Sequence, residues 1–161
     1  MEKVKAYSKE YYELGRNYEE NRNRLHRICK AVLKYNPMNV LDVGCGSGYL
    51  VAKIRRYGID CVGLDFSENA GRIIDGDYIQ SDVVKGLPFD DKTFDVITAT
   101  AFFEHLKEED IDFVYSEMQR VGNHIIAEIG YTAEKISDSH LTIKPYEWWK
   151  NKLPDCEIIN K

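Results

Sequence analysis

A glycine-rich loop that follows a short apolar segment is the part of the sequence best suited to bind a ligand. Residues 40–43 read Val-Leu-Asp-Val, and residues 44–48 read Gly-Cys-Gly-Ser-Gly. Glycines at alternate positions carry no Cβ atom that would keep a ligand away from the backbone, and they permit positive φ. Helical periodicity begins directly afterwards, at Tyr49. A buried strand, a glycine loop and a helix start together predict a nucleotide-type binding corner, whereas an ordinary turn would need fewer glycines.

Two aspartates end the next two apolar runs along the chain. Asp65 stands twenty-one residues after Gly44, and Asp82 is followed by the apolar Val83. In doubly wound sheets, ligands bind at the carboxyl ends of the strands. An acid at position 65 can accept hydrogen bonds from both hydroxyls of a ribose, and Asp82 can accept one from an adenine amino group while Val83 packs against the ring. The alternative for Asp65 is a helix N-cap or an exposed loop acid, and the signal from Asp82 is weak by itself. With the glycine loop, the two aspartates favour an adenosine ligand.

The segment after the fourth apolar run combines small residues with an acid and a histidine. It reads Thr-Ala-Thr-Ala-Phe-Phe-Glu-His over residues 98–105. Small residues leave room for a ligand, and His105 could act as a general base near neutral pH. The alternative is a histidine packed at a helix start. We expect Glu104 and His105 to be the candidate catalytic residues. Together with the later His140 they also carry metal-binding donor atoms, but we expect no metal.

Alternating apolar runs and helical periodicities predict the elements that position these residues. Strands are predicted at residues 40–43, 61–64, 78–82, 94–98, 125–129 and 156–159, and helices at 49–57, 108–121 and from Pro145 onward. Gly122 is expected to end the second of these helices at a position that favours a residue without Cβ. Strands that alternate with helices predict an α/β fold of the Rossmann-like, doubly wound type, with a mostly parallel sheet and helices on both faces.

Residues 1–36 are predicted to be helical. Aromatic and apolar residues form a first stripe at roughly helical spacing: Tyr7, Tyr11, Tyr12, Leu14 and Tyr18. A second stripe predicts an amphipathic helix with one face on a core: Leu25, Ile28, Cys29, Val32 and Leu33. The tyrosines either pack in a core or form a lid that closes over a ligand.

The overall composition narrows the class of protein. The chain has 161 residues, which fits one domain, and 43% of them are hydrophobic. Its net charge of −5 gives no electrostatic reason to expect nucleic acid as the main partner. No apolar run reaches the length of a membrane span, and the first residues contain no signal-peptide core. The four cysteines form no Cys-x-x-Cys pair, which favours a cytoplasmic protein with inert thiols.

The combined motifs resemble those of the class I S-adenosylmethionine-dependent methyltransferases over roughly residues 25–130. Residues 40–48 resemble the first motif of that family, 63–65 the second, 80–82 the third and 87–97 the fourth. The segment 103–106 is similar to the helix start that follows. The resemblance implies a methyltransferase of the small-molecule type that uses S-adenosylmethionine and releases S-adenosylhomocysteine.

The same resemblance implies the roles of individual residues. The glycine loop takes the methionine part of the cofactor, Asp65 the ribose, and Asp82 with Val83 the adenine. Residues 100–102 and His105 border the sulfonium and the acceptor, and the N-terminal tyrosines are similar to segments that cover the cofactor. The implied cofactor site comprises Tyr11, Tyr12, Asp42, Gly44, Cys45, Gly46, Gly48, Tyr49, Asp65, Phe66, Ser67, Asp82, Val83, Thr100, Ala101, Phe102 and His105.

We therefore expect one methyltransferase domain over residues 1–161. It would consist of an N-terminal helical lid (1–36), a cofactor-binding core (38–130) and a C-terminal, substrate-side segment (131–161). The family's sheet usually has seven strands, the last two antiparallel, and residues 131–161 have room for one. The fold is therefore expected to be shortened at its C-terminus.

The expected function is methyl transfer to a small-molecule acceptor. An RNA or protein acceptor is one alternative, against which the net charge speaks. A non-catalytic, cofactor-binding partner subunit is another, suggested by the short C-terminal segment. A nicotinamide-dependent dehydrogenase is less favoured, because its loop requires Gly-x-Gly-x-x-Gly and here Gly48 is followed by Tyr49. The sequence leaves the acceptor and the oligomeric state open, with a homodimer among the possibilities.

Overall fold

The computed structural model describes residues 18–130 and 139–159. The strands are β1 (Asn39–Val43), β2 (Asp60–Asp65), β3 (Ile79–Gln80), β4 (Phe94–Thr100), β5 (Gly122–Glu128) and β6 (Cys156–Ile159). The α-helices are α1 (Tyr18–Leu33), α2 (Tyr49–Arg55), α3 (Glu108–Val121) and α4 (Tyr146–Lys152). Single 3₁₀ turns cover Arg72–Ile74, Val83–Lys85 and Phe103–His105.

The strands form one sheet in the order β3-β2-β1-β4-β5-β6, and every strand pair in the described ranges is parallel. β1 lies between β2 and β4, so Asp42 stands opposite both Gly63 and Thr98. The chain order of the strands reverses at β1 and β4, which is where such sheets bind ligands. The predicted α/β Rossmann-like fold is confirmed.

Helices cover both faces of the sheet, as predicted. Alternate residues of one strand point to opposite faces, and Val40 belongs to a different apolar cluster from Leu41 and Val43. One cluster joins the sheet to α3 and α4 through Phe103, Ile111, Val114, Met118 and Trp149. The other joins it to α1 and α2 through Ile28, Val32, Leu50, Val51 and Ile54. Each of these larger side chains contributes about 1.5–3 kcal/mol by leaving water.

The predicted buried face of α1 is partly confirmed. Ile28, Cys29 and Val32 are buried and Leu25 is partly buried, but Leu33 is 40% exposed. The helix therefore buries a narrower stripe than its apolar periodicity predicts. The lid tyrosines Tyr7, Tyr11 and Tyr12, and also Leu14, lie outside the described residues, so the lid and the three-part division of the domain stay predictions.

Gly122 ends α3 as predicted, but the predicted reason is wrong. Its backbone is extended, with φ −126° and ψ 159°, and it opens β5 three residues earlier than expected. A Cβ atom at this position would lie 2.3 Å from Cγ1 of Ile97 on the neighbouring strand. Glycine is therefore required here by the close packing between β4 and β5. It is not required by a left-handed helix cap, because the backbone is extended.

The connection from β2 to β4 departs most from the predicted elements. A turn at residues 67–70 and the 3₁₀ turn Arg72–Ile74 make up this connection, and the third strand has two residues where five were predicted. Asp82 consequently lies beyond β3. Among the described residues, no helix has both the length and the apolar character needed to cross a bilayer.

Candidate functional site

The loop between β1 and α2 is a tight turn built on three left-handed glycines. Gly44, Gly46 and Gly48 have φ angles of 71°, 54° and 88°. The backbone N–H groups of Gly44 and Cys45 both donate to the Leu64 carbonyl, at 2.8 and 3.0 Å. Residues that carry a Cβ atom rarely adopt these φ angles. The loop is therefore fixed against the end of β2, as a ligand-binding turn requires.

Space as well as backbone conformation selects glycine in this region. A Cβ atom at Gly44 would lie 2.5 Å from Cδ2 of Phe102, and one at Gly63 would lie 2.9 Å from Sγ of Cys45. The predicted site residues Gly44 and Phe102 are thus in contact. Cys45 is buried in this packing, and burial raises the pKa of its thiol well above its ordinary value. Its side chain fills space and is not a nucleophile.

Asp65 closes the glycine loop against the end of β2. Its Oδ2 accepts a hydrogen bond from the Gly46 N–H at 3.0 Å, and its Oδ1 accepts one from the Ser67 N–H at 2.9 Å. The side chain is buried, with 6% of the residue surface exposed. Each carboxylate oxygen has two lone pairs and can accept more than one hydrogen bond. Asp65 was predicted as a site residue from the sequence, but its contact with the loop was not.

Asp42 is buried in the central strand β1, and Asp65 ends the neighbouring strand β2. The Thr98 hydroxyl donates to its Oδ1 at 2.7 Å. Burial raises the pKa of Asp42 to about 7, and the negative charge of Asp65 adds to this, while the Thr98 hydrogen bond and the positive charge of Arg24 oppose it. Asp42 therefore gains or loses its proton near neutral pH. A charged group of a ligand nearby would shift this equilibrium.

A buried ion pair that was not predicted from the sequence lies at the carboxyl end of β5. Glu128 is buried and pairs with Arg24 of α1 through the arginine Nε, and Arg27 Nη2 lies 3.3 Å from the same carboxylate. Within the described residues, the buried Nη2 of Arg24 has no hydrogen-bond partner. One signal was available, since Arg24 stands four residues before Ile28, on the apolar side of the helix.

The predicted adenine residues are split between the surface and the core. Asp82 caps the 3₁₀ turn that follows it, since its carboxylate accepts from the Val84 N–H at 3.4 Å. Its side chain is 41% exposed and lies 3.3 Å from Lys85 Nζ. Val83 is buried. Asp82 is therefore the N-cap of this turn, and its role toward a ligand stays a prediction.

Several other predicted residues line the same edge of the sheet. Tyr49 and Phe66 are large exposed side chains beside the loop, and Ser67 is buried. Thr100 ends β4, and Ala101 follows with a positive φ of 49°. The predicted Tyr11 and Tyr12 lie outside the described residues.

The turn after β4 is held to β5 and carries the predicted Glu-His pair. The Ala101 N–H donates to the Glu128 carbonyl at 2.8 Å, and the His105 N–H donates to the Phe102 carbonyl at 3.0 Å. Glu104 is fully buried, and its Oε1 accepts from the Gly130 N–H at 2.9 Å. Glu104 and His105 therefore lie in the turn that directly follows Phe102, and Phe102 contacts the glycine loop.

Comparison with protein families supports this assembly of motifs. A family model described as a methyltransferase domain matches residues 41–124. Ajmaline N-methyltransferase of Rauvolfia serpentina is 31% identical over 125 residues, which cover 69% of this chain and 42% of that protein. Demethylmenaquinone methyltransferase of Thermotoga maritima is 32% identical over 89 residues, 51% of this chain and 38% of that protein. The chain spans about two fifths of the length of these relatives.

Solved structures share the fold. The PH0226 protein of Pyrococcus horikoshii OT3 superposes with a TM-score of 0.60 at 29% identity, over 71% of this chain and 57% of the other. A SAM-dependent methyltransferase from Archaeoglobus fulgidus gives a TM-score of 0.63 at 23% identity, over 80% and 66% of the two chains. The second likeness concerns the fold alone.

Proposed function

This chain belongs to the methyltransferase-domain family of class I fold, whose cofactor is S-adenosylmethionine, and we propose that it transfers the cofactor's methyl group to a small-molecule acceptor. The observation that carries the proposal is the closed corner at the centre of the sheet. There the Asp65 carboxylate binds the Gly46 N–H of a loop built on left-handed glycines. Such a corner brings backbone and an acidic side chain together at the carboxyl ends of parallel strands.

The methionine end of the cofactor would lie against the glycine loop. Its ammonium group suits Asp42, because a nearby positive charge favours the ionised form of a carboxyl whose pKa is about 7. Its carboxylate suits the buried Nη2 of Arg24, whose Nε is already held by Glu128. The two charged ends of one amino acid would thus meet two side chains of opposite charge.

The adenosine end would extend toward β2 and β3. Asp65 would accept hydrogen bonds from the ribose hydroxyls, since a carboxylate oxygen that binds the Gly46 or Ser67 N–H can accept a second bond. Asp82 would exchange its exposed ion pair with Lys85 for the adenine amino group, and exposed pairs of this kind contribute about 0–1 kcal/mol. The exposed ring of Phe66 would pack on the adenosine.

Methyl transfer places few demands on the protein once the cofactor is held. The acceptor atom must approach the methyl carbon in line with the C–S bond, at about 3–3.5 Å. As the new bond forms, the C–S bond breaks and its electron pair stays on sulfur, which becomes a neutral thioether. Residues 100–102 at the end of β4 would border this position. The Ala101 hydrogen bond to Glu128 holds their backbone in place.

Two observations support a small-molecule acceptor. Three relatives that are 29–32% identical are an ajmaline N-methyltransferase, a demethylmenaquinone methyltransferase and a ubiquinone biosynthesis O-methyltransferase. The net charge of −5 gives no general attraction to a nucleic-acid backbone. An RNA or protein acceptor, or a non-catalytic partner subunit, would be distinguished by experiment.

The test combines cofactor binding with turnover. We expect calorimetry to detect S-adenosylhomocysteine binding with a dissociation constant on the order of micromolar. Transfer of a labelled methyl group would then be measured against panels of small hydroxyl, amine and quinol acceptors, with RNA and protein as separate panels. No binding heat at about millimolar ligand, with the protein folded, would contradict the proposed cofactor site. Turnover confined to the RNA or protein panel would overturn the proposed acceptor class.

A further inference from the structure

Glu104, His105 and His140 bring three metal-binding side chains to one point. One donor atom from each lies within 4.8 Å of the other two. Glu104 is fully buried, and both histidines are half-buried. Two imidazoles with one carboxylate form a common donor set for Zn²⁺ and for Fe²⁺, and such a set leaves coordination positions open for another ligand.

The backbone holds the two halves of this cluster together. The N–H groups of Leu141 and Thr142 both donate to the Glu104 carbonyl, at 2.8 and 3.1 Å. The Thr142 hydroxyl donates to the Leu106 carbonyl at 2.8 Å. His140 thereby lies against His105, with ring centroids 4.7 Å apart. Four contacts between segments far apart in sequence place the donors before any ion binds, which reduces the entropy lost on binding.

The orientation of His105 suits a metal ligand. Its Nδ1 lies 3.1 Å from the Ser139 carbonyl oxygen, which can only accept a hydrogen bond. The neutral ring therefore carries its proton on Nδ1 and has its lone pair on Nε2. Metal-bound histidines in proteins are usually oriented in this way by a backbone carbonyl or a carboxylate. Gly130 orients Glu104 similarly, through its N–H bond to Oε1 at 2.9 Å.

The cluster lies next to the position proposed for methyl transfer. His105 donates its backbone N–H to Phe102, and the Phe102 ring occupies the space beside Gly44 of the glycine loop. An ion held by the three side chains would thus be one 3₁₀ turn away from the cofactor corner. Its open coordination positions would be available to an acceptor bound there.

We propose that Glu104, His105 and His140 bind a divalent transition-metal ion that coordinates the hydroxyl oxygen of the methyl acceptor. The inference rests on the proposed function and narrows its acceptor to a hydroxyl compound. Coordination lowers the pKa of the hydroxyl, which releases its proton to solvent. The oxygen then uses a lone pair to bond the methyl carbon, the C–S bond breaks, and its electron pair stays on sulfur. The products are the methyl ether and S-adenosylhomocysteine.

The test uses Co²⁺ and Zn²⁺ as probes on the full chain after treatment with a chelator. We expect one Co²⁺ per chain by calorimetry, with an absorption spectrum typical of nitrogen and oxygen ligands. His140→Asn and Glu104→Gln should each weaken Co²⁺ binding at least about tenfold, since each removes one direct ligand. His26→Asn is the matched control, because His26 is exposed on α1 and its loss should leave binding unchanged. Circular dichroism would show that each variant is folded.

The cysteines compete poorly for these ions. Burial raises the pKa of Cys29 to about 11 and that of Cys156 to about 12, so neither is a ready thiolate at neutral pH.

Each outcome decides the inference separately from the proposed function. Stoichiometric Co²⁺ that is lost in both site variants and kept in His26→Asn supports it. A wild-type chain that binds S-adenosylhomocysteine but no Co²⁺ overturns the metal site and leaves the cofactor site standing. Co²⁺ bound equally by folded His140→Asn and Glu104→Gln also overturns it, because the ion would then lie elsewhere. Metal-dependent methylation of an amine in preference to a hydroxyl would overturn the acceptor class.

Discussion

Gly46 donates its backbone N–H to the Asp65 carboxylate at 3.0 Å, so one side chain closes the loop after β1 onto the end of β2. The other oxygen of the same carboxylate holds the backbone of Ser67. Asp65 therefore shapes the corner from within and also presents acceptor atoms to a ligand. Changes at this residue should affect both the shape of the site and its affinity.

Asp65→Asn should weaken S-adenosylhomocysteine binding about 10- to 100-fold, equivalent to about 1–3 kcal/mol. The amide keeps one acceptor oxygen but directs an NH₂ group at either Gly46 N–H or Ser67 N–H. Calorimetry measures the effect. Asp60→Asn is the control, because Asp60 is exposed at the other end of β2. Equal affinity of Asp65→Asn and wild type would contradict the assigned role.

Gly44→Ala should destabilise the fold more than Gly58→Ala. Both glycines have positive φ, 71° and 77°, so both variants suffer backbone strain of about 1–2 kcal/mol. At Gly44 the new Cβ would meet Phe102, whereas no residue that the structure describes lies within 4 Å of a Cβ at Gly58. We expect an additional loss of about 1–3 kcal/mol for Gly44→Ala, measured by urea unfolding. Equal losses would show that Phe102 moves aside without penalty.

Asp42→Asn should remove a pH dependence of stability. The pKa of Asp42 rises from 3.8 to about 7 on folding, mainly through burial. Between these values the folded state keeps a proton that the unfolded state releases, so wild-type stability falls as pH rises from about 4 to about 7 and then levels off. The variant should therefore gain stability relative to wild type between pH 5 and pH 8 in urea unfolding. An unchanged difference at the two pH values would refute the shifted pKa.

Arg24→Met should destabilise the fold by about 3–5 kcal/mol, because it leaves the buried Glu128 carboxylate without its main partner. Arg27→Met is the matched variant on the same helix. The Arg27 side chain is 46% exposed, and its Nη2 lies 3.3 Å from Glu128, so its loss should amount to about 0–1 kcal/mol. Thermal and urea unfolding compare the two. Similar losses would contradict the distinction between Arg24 as the main, buried partner of Glu128 and Arg27 as an exposed one.

Glu117→Gln should destabilise the fold at neutral pH and remove part of its sensitivity to acid. Hydrogen bonds from Arg120, and then from the Leu87 N–H, lower the pKa of Glu117 from 4.5 to about 2. The ionised carboxylate thus contributes stability that is present above pH 4.5 and is lost as pH falls toward 2. At pH 7 the variant should lose about 1–3 kcal/mol, and its difference from wild type should shrink toward pH 2. Glu109→Gln, exposed on the same helix, should show no such trend.

The sequence was informative wherever the constraint is local. Three glycines within five residues reflect a turn that needs positive φ at each of them, and the structure has it at each. The apolar run 40–43 and the periodicity of 108–121 reflect burial along one strand and one helix. Positions 65 and 82 were assigned to strand ends from the same kind of pattern, although β3 ended early and left Asp82 as a cap.

Tertiary structure alone decided the contacts between segments far apart in the chain. Arg24 meets Glu128 across 104 residues, and His140 reaches His105 through backbone hydrogen bonds that no periodicity encodes. Gly122 reads as a helix cap until Ile97 of the neighbouring strand is seen beside it. The physical reason is the same in each case. Periodicity records which face of an element is buried, whereas strand order and register decide which residues of other elements that face meets.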